Sequence, residues 1–346
     1  MIINVNCTIM QQEMPWGGEP CVDVRYQGDS QFGLNGYRCI VVKDSYTSPA
    51  DRLTTMIVRF PRYILAEMNT HRVFSRNSAS SRARSLKTTI TSVLDDPVIP
   101  IFTTNHKGMS GPIIGPGERY AKARVEWLRA RDAAVVSALR LLLGPMYDSM
   151  ASPRENLARY YEQYYHCDST IPEDIPNVHK QAVNRILEPF MWHEAIITSS
   201  YWNNFFELRT ASGAAPEMQA IAKIMQAAYR ASTDLQLAER RFHIPFTEQL
   251  DDDCTWQELF RALMDSAAEC ARVSYVDKTA GEKQDNTALS RKLLAARHMS
   301  PFEHQAIHID ALDHLGLPEG LNGNLDRHWV QSRKLMELGY FNQWGN

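Results

Sequence analysis

The chain lacks the features of exported and membrane-spanning proteins. Its first residues, MIINVNCTIMQQEMPW, contain no basic run followed by an apolar stretch, so we expect no secretory signal. Its most apolar stretch, AAVVSALRLLLG, is short and contains Arg140, which predicts a helix of the core and excludes a membrane span. We therefore expect a cytoplasmic protein.

The chain also lacks a strong charge of either sign and any paired cysteine motif. Lys and Arg number 37 against 40 Asp and Glu, so no global field favours nucleic acid or an anionic membrane. The six cysteines are scattered without a CxxC pair, which indicates reduced thiols that pack in the core. With 44% hydrophobic and 22% charged residues, the 346-residue chain has the composition of a folded globular protein.

The sequence pattern predicts an α+β fold in which an antiparallel sheet packs with long helices. Alternating stretches within 20–45 predict a hairpin, and 53–65 predicts a strand that ends near Pro61. A long helix is expected from Glu118 to a stop at Gly144 and Pro145. Further helices are expected over 176–209, 216–241, 255–272 and 285–297.

Positive charge is concentrated between residues 52 and 87, where eight Lys and Arg residues face only Glu67. Such a cluster is either a solvated face or a phosphate site. The composition THRVFSRNSASSRAR favours phosphate, because Ser and Asn supply neutral donors and Arg supplies bidentate forks.

Two other segments contain chemically versatile side chains. His298, Glu303, His304, His308 and His314 could form a metal site, although the spacing fits no known metal motif and packing or hydrogen-bonding roles are the simpler alternative. Over 176–209, Arg185 and Arg209 bound what the pattern predicts to be one buried helix. A buried arginine needs an anionic ligand or a carboxylate partner.

These segments resemble the flavin-dependent thymidylate synthases. The family signature R-H-R-x-x-S-x-N-E-x-S-x-R-Y corresponds to residues 70–83, the signature segment, with six of nine fixed positions matched. The A-R-V-S motif is similar to 271–274, and H-x-[ST]-P-F-E-H is similar to 298–304. Weaker likeness covers 185–189 and 204–209.

The order of these motifs differs from the family, in which the A-R-V-S and H-x-[ST]-P-F-E-H motifs come first. The resemblance therefore implies a circularly permuted member, and a core tolerates permutation when the termini lie close together. We expect one unit over 1–346, with a strand-rich extension at 1–50, the signature and helical part at 53–240, and the permuted part at 255–310.

The resemblance implies a homotetramer with FAD at subunit interfaces. It implies reductive C5-methylation of dUMP to dTMP, with NADPH as reductant and methylenetetrahydrofolate as carbon donor. Catalysis is expected from Arg209, beside the pyrimidine. The cofactor-binding residues implied are His71, Arg72, Ser75, Asn204, Ser274, His298, Ser300 and Glu303, and the substrate-binding residues are Glu67, Ser78, Ser80, Ser81, Arg82, Arg185 and Arg209.

Three positions depart from the family at the expected nucleotide pocket. Thr70 replaces the first signature arginine, Ser78 replaces the glutamate, and Glu67 replaces an upstream glutamine. Since a carboxylate repels phosphate, Glu67 is expected to accept a hydrogen bond from a sugar hydroxyl or a base amine. UMP or dCMP, and hydroxymethylation, therefore remain alternatives. Outside this class, the alternatives are a metal-dependent hydrolase and a nucleic-acid-binding protein.

Overall fold

The computed structural model describes residues 7–12, 21–26, 34–48, 51–108, 111–165, 171–273 and 285–341. Ser274 and Cys167 lie outside these ranges, as does the side chain of His314. The five described cysteines are free thiols, in agreement with the sequence. No helix in the described ranges is long and apolar enough to span a bilayer.

Two sheets organise the described chain. The larger sheet runs in the order β1-β2-β3-β4-β6-β5, with antiparallel neighbours, and the short β7 adds a parallel pair to β3. The smaller sheet has the order β10-β9-β8. The strands are β1 (Cys7–Gln12), β2 (Cys21–Tyr26), β3 (Arg38–Tyr46), β4 (Leu53–Pro61), β5 (Ser75–Ser78), β6 (Trp192–Ser199), β7 (Ala238–Glu239), β8 (Phe242–His243), β9 (Ala306–His308) and β10 (Trp329–Gln331).

Some helices pack on the two sheets, and others pack mainly on one another. The helices are α1 (Leu65–Met68), α2 (Leu86–Asp95), α3 (Glu118–Leu143), α4 (Pro153–Tyr160), α5 (Lys180–Leu187), α6 (Asn203–Thr210), α7 (Pro216–Leu235), α8 (Trp256–Arg272), α9 (Asn286–Ala295), α10 (Leu312–Leu315) and α11 (Ser332–Glu337). Those that pack mainly on one another are α2, α3 and α5. The expected mixture of helices and antiparallel sheet is thus confirmed.

Several local predictions are confirmed by the structure. β2 and β3 form the expected antiparallel pair, and β4 ends at Pro61. The apolar stretch within α3 is buried at Val135, Leu139 and Leu142, and the helix stops at Gly144 as expected. Gly144 has φ +51°, a left-handed conformation that glycine adopts without strain.

The prediction of helix over 176–209 is wrong in its centre. Residues Trp192–Ser199 form β6, which lies between β4 and β5 and is buried along most of its length. A short apolar run cannot be assigned to strand or helix by periodicity alone, and the β-branched residues of WHEAIITS favour the strand. Arg185 and Arg209 therefore lie on two helices, α5 and α6, and do not bound a single helix. The helix predicted over 216–241 ends at Leu235, before β7 and β8.

Three apolar clusters form the main cores. The first packs α6 and α7 on the larger sheet, with Trp202, Phe205, Ile221 and Met225 buried. The second lies among α2, α3 and α5. The third joins α8 to the smaller sheet and α11. A fourth, smaller apolar cluster packs Leu53 of β4 against the smaller sheet, and buried polar contacts also fix the C-terminal part against the larger sheet.

A buried polar chain makes that connection. Ser45 Oγ contacts His243 Nδ1 at 2.9 Å, and His243 Nε2 contacts Thr55 Oγ1 at 2.8 Å. Thr55 Oγ1 lies 2.7 Å from Thr198 Oγ1, which lies 2.8 Å from His304 Nδ1. All five residues are fully buried. Burial lowers the pKa of His304 to about 3, so this ring is neutral at neutral pH.

Replacing Thr198 with valine should destabilise the fold by about 1–3 kcal/mol, because Thr55 and His304 each lose a partner inside the protein. The free energy of unfolding in urea measures this loss. Thr287→Val is the matched control, since Thr287 is only half-buried on α9. Equal destabilisation by both variants would show that the polar chain does not stabilise the junction.

Candidate functional site

The signature segment connects α1 to β5, which lies at one end of the larger sheet. Backbone hydrogen bonds from Thr70 to Glu67 and from Phe74 to His71 form the turn. β5 pairs with β6 on one side, so its other side is available to residues from distant parts of the chain. This position explains why three separate segments meet here.

His71 and Arg209 lie in direct contact. Arg209 Nε donates to His71 Nε2 at 2.8 Å, and Arg209 Nη2 donates to Thr70 Oγ1 at 2.9 Å. Thr70 in turn donates to the Glu67 carbonyl oxygen at 2.7 Å. The threonine that replaces the first signature arginine thus helps to orient Arg209.

Arg209 keeps an uncompensated charge. Its two partners, Thr70 and His71, are neutral, and no carboxylate in the described ranges forms an ion pair with it. His71 is 8% exposed and packs edge-on against Phe205. Burial, together with the charges of Arg209 and Arg76, lowers the pKa of His71 to about 4. The neutral ring accepts at Nε2, so its proton is on Nδ1.

The H-x-[ST]-P-F-E-H motif reaches the same strand. Ser300 Oγ donates to Asn77 Oδ1 at 3.0 Å, although 223 positions separate them. Asn77 Nδ2 also donates to the carbonyl oxygen of Cys270, at the end of α8 and next to the A-R-V-S motif. Asn77 therefore connects the signature segment to the H-x-[ST]-P-F-E-H motif and to the residue that precedes the A-R-V-S motif.

Glu303 lies beside the positive charge of the signature segment. Its carboxylate accepts a hydrogen bond from Arg333 Nη1. Burial raises the pKa of Glu303, and the charges of Arg333 and Arg76 offset part of this effect. Arg76 itself donates to the carbonyl oxygens of Met68 and His71 at 3.2 Å.

Residues 324–333 complete the site, and no motif in the sequence predicts their role. Ser75 Oγ donates to Asn324 Oδ1 at 3.0 Å, and Gln331 Nε2 donates to that oxygen at 2.8 Å. Gln331 also donates to the Glu303 carbonyl oxygen at 3.2 Å. The only signal for Asn324, Gln331 and Arg333 was a polar stretch without a regular motif.

The expected phosphate-binding residues are divided between a buried and an exposed group. Ser81 is buried and donates to the Glu188 carboxylate, while the Ser81 carbonyl oxygen accepts from Asn184 Nδ2 at 2.8 Å. Arg82 and Arg185 are exposed. Within the described ranges neither arginine has a side-chain hydrogen bond or an ion pair, so both guanidinium groups are available to an anion.

The remaining expected site residues lie at or near the surface of the single chain. Exposed residues are Arg72, Ser80, Asn204 and His298, and half-buried residues are Glu67 and Ser78. In the part of the chain that the structure describes, these side chains form no hydrogen bond or ion pair with one another.

Two histidines of the 298–314 segment, His304 and His308, bond to side chains of the protein. His304 contacts Thr198, and His308 Nε2 contacts Thr47 Oγ1 at 2.5 Å and Asp51 Oδ2 at 3.1 Å. Among the described residues no group of three or more His, Cys, Asp or Glu side chains is arranged to hold a metal ion.

Comparison with known proteins gives distant structural likeness. No family model matches the chain, and no curated protein matches it. A UMP/dUMP methylase, PolB from Streptomyces cacaoi bound with 5-Br UMP, is similar with a TM-score of 0.35 and 15% identity, over 55% of this chain and 72% of its own. Thymidylate synthase X from Helicobacter pylori with FAD and dUMP is similar with a TM-score of 0.28 and 19% identity, over 51% of this chain and 67% of its own.

Removing the charge of Arg209 should raise the pKa of His71, because the guanidinium disfavours the imidazolium form. In Arg209→Gln the pKa should move from about 4 toward the ordinary value and stay below it, since burial persists. NMR titration of the His71 ring, assigned with His71→Gln, measures the shift. Arg129→Gln, on the exposed face of α3, should leave it unchanged. An unchanged pKa in Arg209→Gln would contradict the contact.

Proposed function

We propose that this chain is a flavin-dependent enzyme that methylates C5 of a pyrimidine nucleotide, with dUMP as substrate and dTMP as product. The observation that carries the proposal is that Asn77 of the signature segment bonds to Ser300 Oγ of the H-x-[ST]-P-F-E-H motif and to the carbonyl oxygen of Cys270, the residue before the A-R-V-S motif. Contacts of this kind do not depend on the order of the motifs along the chain, which supports the interpretation of a circular permutation.

The donors around the signature segment fit FAD. A pyrophosphate needs guanidinium groups and neutral donors, and Arg72 is exposed without a carboxylate partner in the described ranges. We assign FAD binding to this arginine together with His71, Ser75, Asn204, Ser274, His298, Ser300 and Glu303. The flavin, when bound, supplies the redox chemistry, and the protein binds, orients and polarises the reactants.

The nucleotide phosphate is assigned to Ser80, Ser81, Arg82 and Arg185. Arg82 and Arg185 support this assignment because they are exposed cations without internal partners. Ser78 and Glu67 are assigned to the same pocket. Glu67 lies one turn before Thr70, which bonds to Arg209, so its carboxylate is suited to distinguish among dUMP, UMP and dCMP by hydrogen bonds.

Arg209 is the residue proposed to activate the pyrimidine. Hydrogen bonds to two neutral partners hold its guanidinium in position. A preorganised cation of this kind stabilises the negative charge that develops on the pyrimidine ring during the reaction. His71 holds Arg209 in place and stays neutral near pH 7, so it does not repel the guanidinium. Ring activation by Arg209 requires no cysteine nucleophile.

Methylation of C5 requires a one-carbon donor and a reductant as co-substrates. Methylenetetrahydrofolate supplies one carbon at the oxidation level of formaldehyde, and NADPH supplies the two electrons that convert it to a methyl group. If the reduction did not follow transfer, the product would be the hydroxymethyl nucleotide. We further propose a homotetramer, because the exposed Arg72, Asn204 and His298 leave a bound cofactor accessible to a second subunit.

The purified protein should carry a flavin absorption spectrum, or acquire one when FAD is added, and NADPH should bleach it under anaerobic conditions. Visible spectroscopy and metal analysis of the same sample separate this enzyme from a metal-dependent hydrolase. A colourless protein that fails to bind added FAD would overturn the proposed function.

Arg82→Ala should weaken nucleotide binding while leaving FAD bound. Losing one charge-assisted phosphate contact costs about 1.5–3 kcal/mol, which is roughly ten- to hundredfold in affinity. Calorimetric titration with dUMP, UMP and dCMP measures the loss and identifies the preferred nucleotide. Arg129→Ala serves as the control. Loss of FAD to the same degree as nucleotide would contradict the phosphate assignment.

A further inference from the structure

Three arginines lie side by side across the larger sheet. In the strand register Arg25 of β2 faces Arg38 of β3, and Arg38 faces Arg59 of β4. Glu194 of β6 comes next, opposite Arg59. We call Arg25, Arg38 and Arg59 the arginine row. Like charges on facing positions of neighbouring strands are destabilising, so the row needs compensating anions.

Protein carboxylates supply only part of that compensation. The buried Asp23 accepts from Arg38 Nε at 2.8 Å and Nη2 at 2.6 Å, and it also pairs with Arg25 Nη2 at 2.8 Å. Arg59 pairs with Asp96 at 2.6 Å. Asp23 thus shares one negative charge between two guanidinium groups.

The arginine row lines a cavity of about 260 Å³. Arg84 enters this cavity from the segment before α2, which adds a fourth guanidinium. Glu194 and Asp96 also line it, and with Asp23 they leave one positive charge in excess. Tyr37 and Trp192 form an aromatic wall. Gly36 is required beside this wall, because a Cβ atom there would overlap the Trp192 indole ring.

Three buried polar atoms on residues that line this cavity lack hydrogen-bond partners in the described ranges. They are Tyr37 Oη, Trp192 Nε1 and Arg84 Nε. Tyr37 is 1% exposed and Trp192 is 8% exposed. Leaving such donors unsatisfied is costly, and native proteins rarely do so without a ligand or an ordered water. All three atoms can donate, so the missing partner is rich in acceptors.

We infer that the arginine-row cavity binds a small phosphate group, either free phosphate or a compact phosphate monoester. Guanidinium forks and neutral N–H and O–H donors are the groups that phosphate oxygens prefer. The volume is smaller than that of most pockets for drug-sized ligands, which restricts the occupant to a compact anion. The cavity shares no residue with those assigned above to the flavin or the nucleotide.

Isothermal titration calorimetry with inorganic phosphate and with phenyl phosphate tests this inference. The full-length chain is titrated in an Arg82→Gln background, which removes one of the two arginines assigned to the nucleotide phosphate and so weakens that site. Phosphate should still bind in this background. Tighter binding of phenyl phosphate would assign the cavity to a monoester that uses the Trp192 wall, and equal or weaker binding would assign it to free phosphate.

Two further substitutions should change affinity in opposite directions. Arg59→Gln should weaken phosphate binding about ten- to hundredfold, because one charge-assisted contact is lost. Glu194→Gln should strengthen it roughly tenfold, because a like charge is removed from the cavity. Arg129 and Glu126 form an exposed ion pair on α3. Arg129→Gln and Glu126→Gln are therefore the matched controls, and neither should change the affinity for phosphate.

The outcomes separate this site from the proposed function. No binding at millimolar phosphate in the Arg82→Gln background, or equal affinity in Arg59→Gln, Glu194→Gln and the controls, would overturn the inference. If Arg59→Gln does not fold, the tighter phosphate binding expected for Glu194→Gln tests the inference, and unchanged affinity in that variant would overturn it. Failure to bind FAD would overturn the proposed function and leave this result unaffected.

Discussion

The position of the candidate site depends on the buried polar chain that fixes the C-terminal part to the larger sheet. Thr198 on β6 contacts Thr55 on β4 and His304, which follows the segment containing Ser300. Buried hydroxyl and imidazole groups are costly without partners, so the placement of the two parts that pairs Thr198 with Thr55 and His304 is favoured. That placement brings Ser300 within 3.0 Å of Asn77. Apolar packing alone, being non-directional, would not specify it.

The positive charge of residues 52–87 and of Arg209 is divided into a part that pairs with carboxylates of the protein and a part that is available to ligands. Arg52 pairs with the buried Asp44 at 2.5 Å, and Arg62 pairs with Glu188 at 3.1 Å. Arg82 has no such partner in the described ranges, and Arg209 contacts only neutral groups. Carboxylates therefore compensate cations that stabilise the fold, whereas the arginines assigned to the nucleotide have no carboxylate partner in the described ranges. This distinction is the main physical support for the proposed chemistry.

The sequence was sufficient for the hairpin, for α3 and for the motifs, because each is defined by nearby residues. It was insufficient for β6, since a short apolar run fits a helix or a strand equally well. The roles of Asn324 and Gln331 at Ser75 arise from tertiary contacts across about 250 positions, which no local pattern encodes. Composition likewise could not separate paired from unpaired arginines within 52–87, because their partners, such as Asp96 and Glu188, lie outside that range.

The most direct test of the proposed chemistry is mass spectrometry of the nucleotide after incubation with the FAD-loaded protein, methylenetetrahydrofolate and NADPH. The account predicts that dUMP gains one CH₂ unit while one equivalent of NADPH is oxidised, and that Arg209→Gln loses most of this activity while FAD remains bound. Gain of a CH₂O unit without NADPH oxidation would assign hydroxymethylation instead. If dUMP, UMP and dCMP all remain unchanged with FAD bound, the account is contradicted.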